Sequence, residues 1–334
     1  MLFRSSARPR AACALLLPAV LAVGLADAQN PTAADAQDPF RFYLADRYMY
    51  DDNLFRIPDG LLASDPSILP PASLDDYINR ASAGARIRLD SSRQVFSADL
   101  RIDDVRYDRN DDLNYTGGAA NVGWDWQAGH RWSGKLNGQY DRSQASLSNY
   151  IFFGKDVVDT ATLGAEFRFG IGSRWRLLAA GAAADTDHSS DIRRVDNFES
   201  QTGRGGIEYV TPAGNLFALE YRYTDAEFPV ARDLGANLAY EERVPGARLE
   251  YAFTEKTQLK ARAGYLERDY ANPASADYSG EIWDLTLRWE PRTKLYFDLK
   301  AWHELKAYAD SESDYFVTDA IWRSEERRVG KECR

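Results

Sequence analysis

The feature that most constrains the fold is a two-residue alternation of apolar and polar side chains, repeated from about residue 40 to 322. In one such run, Trp132 and Leu136 share one face while Lys135 and Asp141 share the other. Successive side chains of an extended strand point to opposite sides of a sheet, so this period predicts β-strands. The three- and four-residue spacings of an amphipathic helix are not found in these runs. The sequence therefore predicts an all-β fold.

Short and long connections alternate between these runs. The short ones carry Gly, Pro, Ser and Thr, which is typical of tight turns, and lie at 90–92, 128–130, 170–173, 211–214, 254–256 and 290–292. The longer, polar ones lie near 51–76, 145–157, 185–198, 225–237, 267–278 and 305–314, with a shorter link near 108–112. Such regular hairpins predict a meander of about fourteen antiparallel strands.

Aromatic residues at the strand ends distinguish between two architectures for this meander. A soluble sandwich shares an apolar core between two sheets, whereas an outer-membrane barrel turns its apolar face to lipid and bears aromatic belts. Trp124, Trp132, Trp175 and Trp289 all lie next to short turns, where an interfacial belt is expected. We therefore expect a closed transmembrane β-barrel, with about fourteen strands present and 16 or 18 when complete, since bacterial barrels have even strand numbers.

Composition excludes several other classes of protein. A mean hydropathy of −0.50 is too low for a bundle of membrane-spanning helices. A net charge of −10 argues against nucleic-acid binding, which needs a basic face. Of the two cysteines, Cys13 lies near the N-terminus and Cys333 near the C-terminus, outside the alternating region, so a disulfide scaffold is not expected.

Both ends differ from the alternating region. Residues 1–28 have the basic start, apolar run and Ala26-Asp27-Ala28 site of a Sec-type signal peptide, which predicts export to the outer membrane of a Gram-negative bacterium. Residues 29–39 are expected to form a periplasmic lead-in. Residues 323–334 resemble the translation of a DNA-sequencing adapter. We interpret them as an artefact that follows a C-terminally truncated barrel spanning 40–322.

The first predicted strand carries a family resemblance. Its end, Arg47-Tyr48-Met49-Tyr50-Asp51-Asp52-Asn53-Leu54-Phe55-Arg56, resembles the signature near the mature N-terminus of the EpsL family, and Asp90-Ser91-Ser92-Arg93-Gln94 with Phe96 resembles that family's next landmark. The resemblance covers residues 40–322. EpsL proteins are outer-membrane barrels associated with exopolysaccharide operons, often beside exosortase B. The resemblance implies a barrel that takes part in exopolysaccharide biosynthesis and export.

Charged residues occupy the polar face of nearly every predicted strand. Lys or Arg facing lipid near the bilayer centre costs about 2–4 kcal/mol, so these side chains are expected to face water in the barrel lumen. Two interpretations stay open: charged walls that hydrogen-bond sugar hydroxyls, or salt bridges that brace the barrel. The candidates are Arg86, Arg88, Arg101, Asp103, Asp125, Lys135, Asp141, Glu166, Arg168, Arg204, Glu208, Glu220, Arg222, Arg248, Glu250, Lys260, Arg262, Asp284, Arg288, Asp298 and Lys300.

Two aromatic residues near the C-terminus are candidates for stacking on sugar rings. By the alternation, Tyr296 and Trp302 face the lumen. A one-residue shift of strand register would instead place them in an interfacial belt, because such a shift exchanges the two faces. Both placements remain open from the sequence.

Signals for an enzyme are weak. His130, His188 and His303 are too scattered to be expected at one metal site, and no hydrolase, metalloprotease or phosphate-binding motif is present. The run from Asp108 to Asp112 begins like a calcium loop but lacks the required Gly and Glu. We expect no catalytic residues, no cofactor and no bound metal.

The sequence thus favours an outer-membrane conduit for exopolysaccharide. Its expected partners are outer-membrane lipid, the polymer itself and periplasmic polysaccharide-export proteins, with no nucleic acid. The alternatives are a general diffusion porin for small solutes, a docking platform for periplasmic export proteins without an open pore, and a barrel-embedded hydrolase.

Overall fold

The computed structural model describes residues 38–57, 71–147, 154–235, 237–273, 275–292, 295–310 and 313–327. The predicted signal peptide, residues 29–37 of the predicted lead-in and residues 328–334 of the predicted artefact lie outside this described part. The strands are β1 (Phe40–Asp51), β2 (Asp76–Ser91), β3 (Gln94–Tyr107), β4 (Tyr115–Ala128), β5 (Trp132–Gln144), β6 (Val157–Ile171), β7 (Trp175–His188), β8 (Phe198–Val210), β9 (Leu216–Glu227), β10 (Tyr240–Thr254), β11 (Thr257–Tyr270), β12 (Tyr278–Arg292), β13 (Leu295–Asp310) and β14 (Ser313–Arg327).

These fourteen strands form one antiparallel sheet in strict chain order, which confirms the predicted all-β meander. Each strand from β2 to β13 pairs with the strand before it and the strand after it. Among the described strands, β1 pairs only with β2 and β14 only with β13, so the two edges of the sheet do not pair with each other. Closure into a complete barrel stays a prediction.

Among the described residues, helical structure is confined to the connections. A short helix, α1 (Pro229–Asp233), and two single turns of 3-10 helix, Asp111–Leu113 and Arg194–Asp196, lie between strands at one end of the sheet. None of the described helices is long and apolar enough to cross a bilayer.

Five of the six predicted tight turns fall where the sequence placed them, whereas residues 290–292, predicted as the sixth, belong to β12, and several other strands are also longer than predicted. β7 runs through His188 and β11 through Tyr270, and β13 and β14 cover most of the connection predicted at 305–314. Backbone pairing does not require apolar side chains, so polar residues can continue the ladder beyond the apolar band. β14 also includes residues 323–327 of the predicted artefact. This pairing describes the conformation of residues 323–327 and does not test whether they are a sequencing artefact.

The strand register gives the sheet two chemically different faces. We call the side that carries Leu44, Leu163, Leu219 and Ile321 the apolar face; these four side chains are between 67% and 86% exposed. We call the opposite side, which carries Glu208, the charged face; Glu208 is fully buried. A sandwich would cover the apolar face with a second sheet, but the described strands belong to one sheet.

Candidate functional site

The register places all twenty-one predicted lumen residues on the charged face. Lys135 lies opposite Glu166, Arg204 lies opposite Arg222, and the other candidates share their side of the sheet. The alternation therefore identifies the members of this face correctly. Their assignment to a lumen remains a prediction because the described sheet is not closed.

Glu208 is the centre of an ion-pair network on this face. Arg248 donates from Nη2 to Glu208 Oε1 at 2.6 Å, and the Nε atoms of Arg168 and Arg176 lie 3.2 and 3.0 Å from Glu208 Oε2. Arg248 also donates to Glu220 and Glu250, each at 2.8 Å. A buried carboxylate is stable only when it is paired and hydrogen-bonded, and three arginines meet that need here.

Several of these pairs join strands that are not neighbours. Ala218 of β9 stands directly between Glu208 of β8 and Arg248 of β10, and their side chains meet over its methyl group. Ala180 of β7 stands in the same way between Glu166 and Arg204, whose side chains meet at 2.7 Å.

Second-neighbour strands lie about 10 Å apart, so side chains that bridge them must converge. This convergence makes the charged face the concave side of the sheet. The exposure of the two faces agrees: the side chain of Arg248 on the charged face is 8% exposed, and Leu219 on the apolar face of the adjacent strand is 67% exposed.

A second buried pair lies closer to the long connections. The guanidinium of Arg268 hydrogen-bonds the carboxylate of Glu242, and its Cζ lies 4.2 Å from the centroid of the Tyr240 ring. Tyr270 also accepts a hydrogen bond from Arg268 through its hydroxyl oxygen. Neither Glu242 nor Arg268 was among the predicted residues, although both follow the two-residue alternation of their strands.

Near the tight turn that joins β2 and β3 the charged face is open to solvent. The pairs of Arg86 with Asp99 and of Arg88 with Asp90 join side chains that are between 43% and 65% exposed. Exposed ion pairs contribute at most about 1 kcal/mol. The charged face therefore has a braced part over β6–β11 and an open part near the tight turn of β2 and β3, so each sequence interpretation fits a different part.

Tyr296 and Trp302 both lie on the charged face, in the register that the alternation predicted. Trp302 is half-buried and lies opposite Asp284. The ring of Tyr296 is covered by the guanidinium of Arg288, whose Cζ lies 5.2 Å from the ring centroid. Trp302 is therefore the better placed of the two for stacking on a sugar.

The apolar face ends in aromatic belts. At the short-turn end its aromatic side chains contact one another in pairs: Phe96 with Trp124, Trp126 with Phe167, Trp132 with Phe169, Trp175 with Tyr209, Phe217 with Tyr251, and Trp289 with Phe297. Toward the long connections the same face carries exposed tyrosines, which the sequence analysis missed: Tyr48, Tyr50, Tyr77, Tyr140, Tyr223 and Tyr265. This is the distribution of amphipathic rings found at two membrane interfaces.

The family motif folds into a compact hook, residues 51–57, after β1. The side chain of Asn53 accepts a hydrogen bond from the backbone N–H of Ile57 and donates one to its carbonyl, both at 2.9 Å. Arg56, at φ +56°, donates to both carboxylate oxygens of Asp51 at 2.9 and 2.7 Å. The motif Asp-Asp-Asn-Leu-Phe-Arg is therefore a self-bonded turn. The second landmark lies at the opposite end: Arg93 donates to the Gly129 carbonyl, and Gln94 accepts from the Trp124 indole.

The hook packs its apolar residues over the charged-face side of β2–β4. Phe55 is fully buried in a cluster with Ile78, Val105, Leu113 and Tyr115. The motif therefore covers part of the concave side at the long-connection end.

Asp76 anchors the connection beside the hook. It is fully buried and accepts hydrogen bonds from the backbone N–H groups of Asp108, Arg109 and Asn110. This explains the Asp-rich run at 108–112, which was considered as a possible calcium loop: its backbone serves as donor to Asp76. Sequence alone gave no signal for this pairing across more than thirty residues.

The three histidines are separate from one another. His130 is exposed in a tight turn, and His303 lies on the apolar face, 2.7 Å from Asp319. The ring of His188 contacts Asp156 at 2.7 Å. Burial raises the pKa of Asp156, but hydrogen bonds from His188 and the Ser190 backbone outweigh it and hold the pKa below its ordinary value. No group of three metal-ligating side chains occurs among the described residues.

Comparisons with known proteins give similarities to solved structures but none to a family model or a curated protein. A solved structure described as a bacterial polysaccharide outer membrane secretin is similar over 77% of this chain and 83% of its own, at 11% identity and a TM-score of 0.44. An overlap of this degree establishes neither a shared fold nor a shared function.

Proposed function

We propose that this protein is an outer-membrane β-barrel of the EpsL type that provides a hydrated, charged conduit for an exopolysaccharide. The observation that carries the proposal is the division of one meander sheet into an exposed apolar face and a concave face of charged side chains. In a barrel the apolar face contacts lipid, and water in the lumen solvates the charged side chains.

The dimensions of the apolar face support a membrane location. Trp132 and Tyr140 mark its two aromatic zones on β5, and eight residues of strand span about 26 Å. A strand tilt of about 40° reduces this to roughly 20 Å along the membrane normal, near the apolar band of about 25 Å found in barrels. The tight turns then face the periplasm and the longer connections face outside.

Planar-bilayer recordings test the conduit directly. The purified protein is inserted into a bilayer, and single-channel current is measured with and without polysaccharide. A large channel whose current is blocked by polysaccharide supports export. A channel indifferent to polysaccharide indicates a diffusion porin, and a correctly folded protein that conducts no ions indicates a docking platform.

We propose no catalytic role for the protein. A barrel-embedded hydrolase would need a base beside a nucleophile, and the two histidines with acidic partners, His188 and His303, lie in a connection region and on the apolar face. Polysaccharide depolymerisation that is lost on substitution of either histidine would overturn this part of the proposal.

A further inference from the structure

Three cations of the charged face, on β9 and β11, have no ion-pair partner among the described residues. Arg222 of β9 and Lys260 and Arg262 of β11 form no ion pair within the described part of the chain, whereas Arg168, Arg204, Arg248 and Arg268 are all paired. Arg222 Nε is also buried and has no hydrogen-bond acceptor among the described residues. Burial removes water from this Nε atom, and no acceptor of the described protein replaces the lost hydrogen bond.

The sheet places these cations along a strip. Arg222 lies opposite Val244 of β10, and Arg262 lies opposite Arg248, four residues farther along β10. The Cα atoms of Arg222 and Arg262 are four residues apart along the strand direction and two strands apart across the sheet. This corresponds to a distance of about 16 Å. On the same face between them, Gly246 lies opposite Gly264, so these two positions contribute no side chain of their own, and the Val244 side chain lies beside Gly264. We call Arg222, Lys260 and Arg262, with this glycine pair, the cation strip.

Most acidic groups near the strip are bonded to other arginines. Glu250, opposite Lys260, is bonded to Arg248, and Glu220 beside Arg222 is bonded to Arg248 and Arg204. Asp284 lies opposite Arg262 without an ion pair between them. The next residue in that row is Trp302, the candidate for sugar stacking.

We propose that the cation strip binds the carboxylate groups of an anionic polysaccharide, with Trp302 available to stack on a neighbouring sugar ring. This rests on the proposed function and names its substrate class. A Cα spacing of about 16 Å lets Arg222 and Arg262 contact different acidic groups of an extended polymer. Guanidinium groups bind carboxylates in a bidentate manner, which favours acidic over neutral sugars.

Binding in detergent micelles tests this without requiring conduction. Fluorescently labelled polygalacturonate oligomers and dextran oligomers of equal length are titrated with the protein, and anisotropy is recorded. We expect tighter binding of polygalacturonate, and at least tenfold weaker binding by the R222Q/K260Q/R262Q variant. The matched control is K256Q, which removes an exposed cation from the tight turn between β10 and β11 and should leave affinity within about twofold. Single R262Q and K260Q variants, each weakened severalfold, replace the triple variant if it fails to fold.

The outcomes separate this inference from the proposed function. Equal affinity for the two oligomers, or unchanged affinity in the folded variants, would overturn the cation strip even if the protein conducts. Selective binding that is lost in the variants supports the strip even if bilayer recordings show no channel.

Discussion

Arg248 of β10 and Glu208 of β8 form a 2.6 Å hydrogen-bonded ion pair across an intervening strand, and both side chains are removed from solvent. The pair exists because the strand between them presents Ala218 at the crossing point and because the sheet curves toward its charged face. The first two predictions follow from this relationship.

Glu208→Gln should lower the free energy of unfolding by about 3–5 kcal/mol, because it leaves three arginines around a site with no anion. Urea unfolding in detergent, followed by tryptophan fluorescence, measures the change. Asp99→Asn is the control, since it removes an exposed carboxylate from the same face and should cost less than about 1 kcal/mol. Equal stability of the two variants would show that the network does not brace the sheet.

Ala218→Leu should destabilise the protein by about 1–3 kcal/mol, because the added atoms occupy the space over which Glu208 and Arg248 meet. Ala247→Leu adds the same atoms on the exposed apolar face of the adjacent strand and is expected to be neutral. The same unfolding measurement compares them. A neutral Ala218→Leu variant would mean that the arginine does not depend on a small residue at the crossing.

Leu163→Arg tests the membrane location of the apolar face. Leu163 is 67% exposed, so in a water-soluble protein an arginine would be tolerated there. In a bilayer the same change should cost about 2–4 kcal/mol if the residue lies near the midplane. Folding into liposomes at a series of urea concentrations measures it, with Thr162→Arg on the charged face as the control. If both variants fold into liposomes with the stability of the unsubstituted protein, the apolar face does not contact lipid.

Phe55→Ala should loosen the hook. The side chain is fully buried, and truncating a buried phenylalanine costs about 3–5 kcal/mol. We expect faster amide hydrogen exchange in residues 51–57 and in the 108–114 connection, with the distant tight turns unchanged. Leu234→Ala, an exposed residue of another connection, is the control. Unchanged exchange would show that the hook does not depend on this anchor.

Asp156 should make the connection before β6 sensitive to acid. Its pKa in the folded protein lies below the ordinary 3.8, so ionised Asp156 stabilises the fold above that pH. This contribution is lost as the pH falls below about 3.8 through the folded-state pKa. The protection factors of residues 154–157 and 188–190, which correct exchange for its intrinsic pH dependence, should therefore fall in acid. In Asp156→Asn their exchange should be fast already at pH 6, and slow exchange in that variant would contradict the assignment.

The sequence by itself determined the strands, the tight turns and the division into two faces. This was possible because side-chain alternation is a local property of extended backbone, and because Gly, Pro, Ser and Thr mark the turns where the chain reverses. For the same reason every predicted charged residue, and Tyr296 and Trp302 with them, lies on the expected face.

Only the tertiary structure decided which charges pair, where the motif folds and how the long connections are held. The Glu208–Arg248 pair depends on curvature across three strands, and Asp76 binds backbone groups more than thirty residues away. Such contacts arise when distant segments are brought together by the sheet, and no local pattern encodes their distance or direction. The cation strip likewise became visible only after the paired charges of the same face were known, because pairing is a property of neighbours in space.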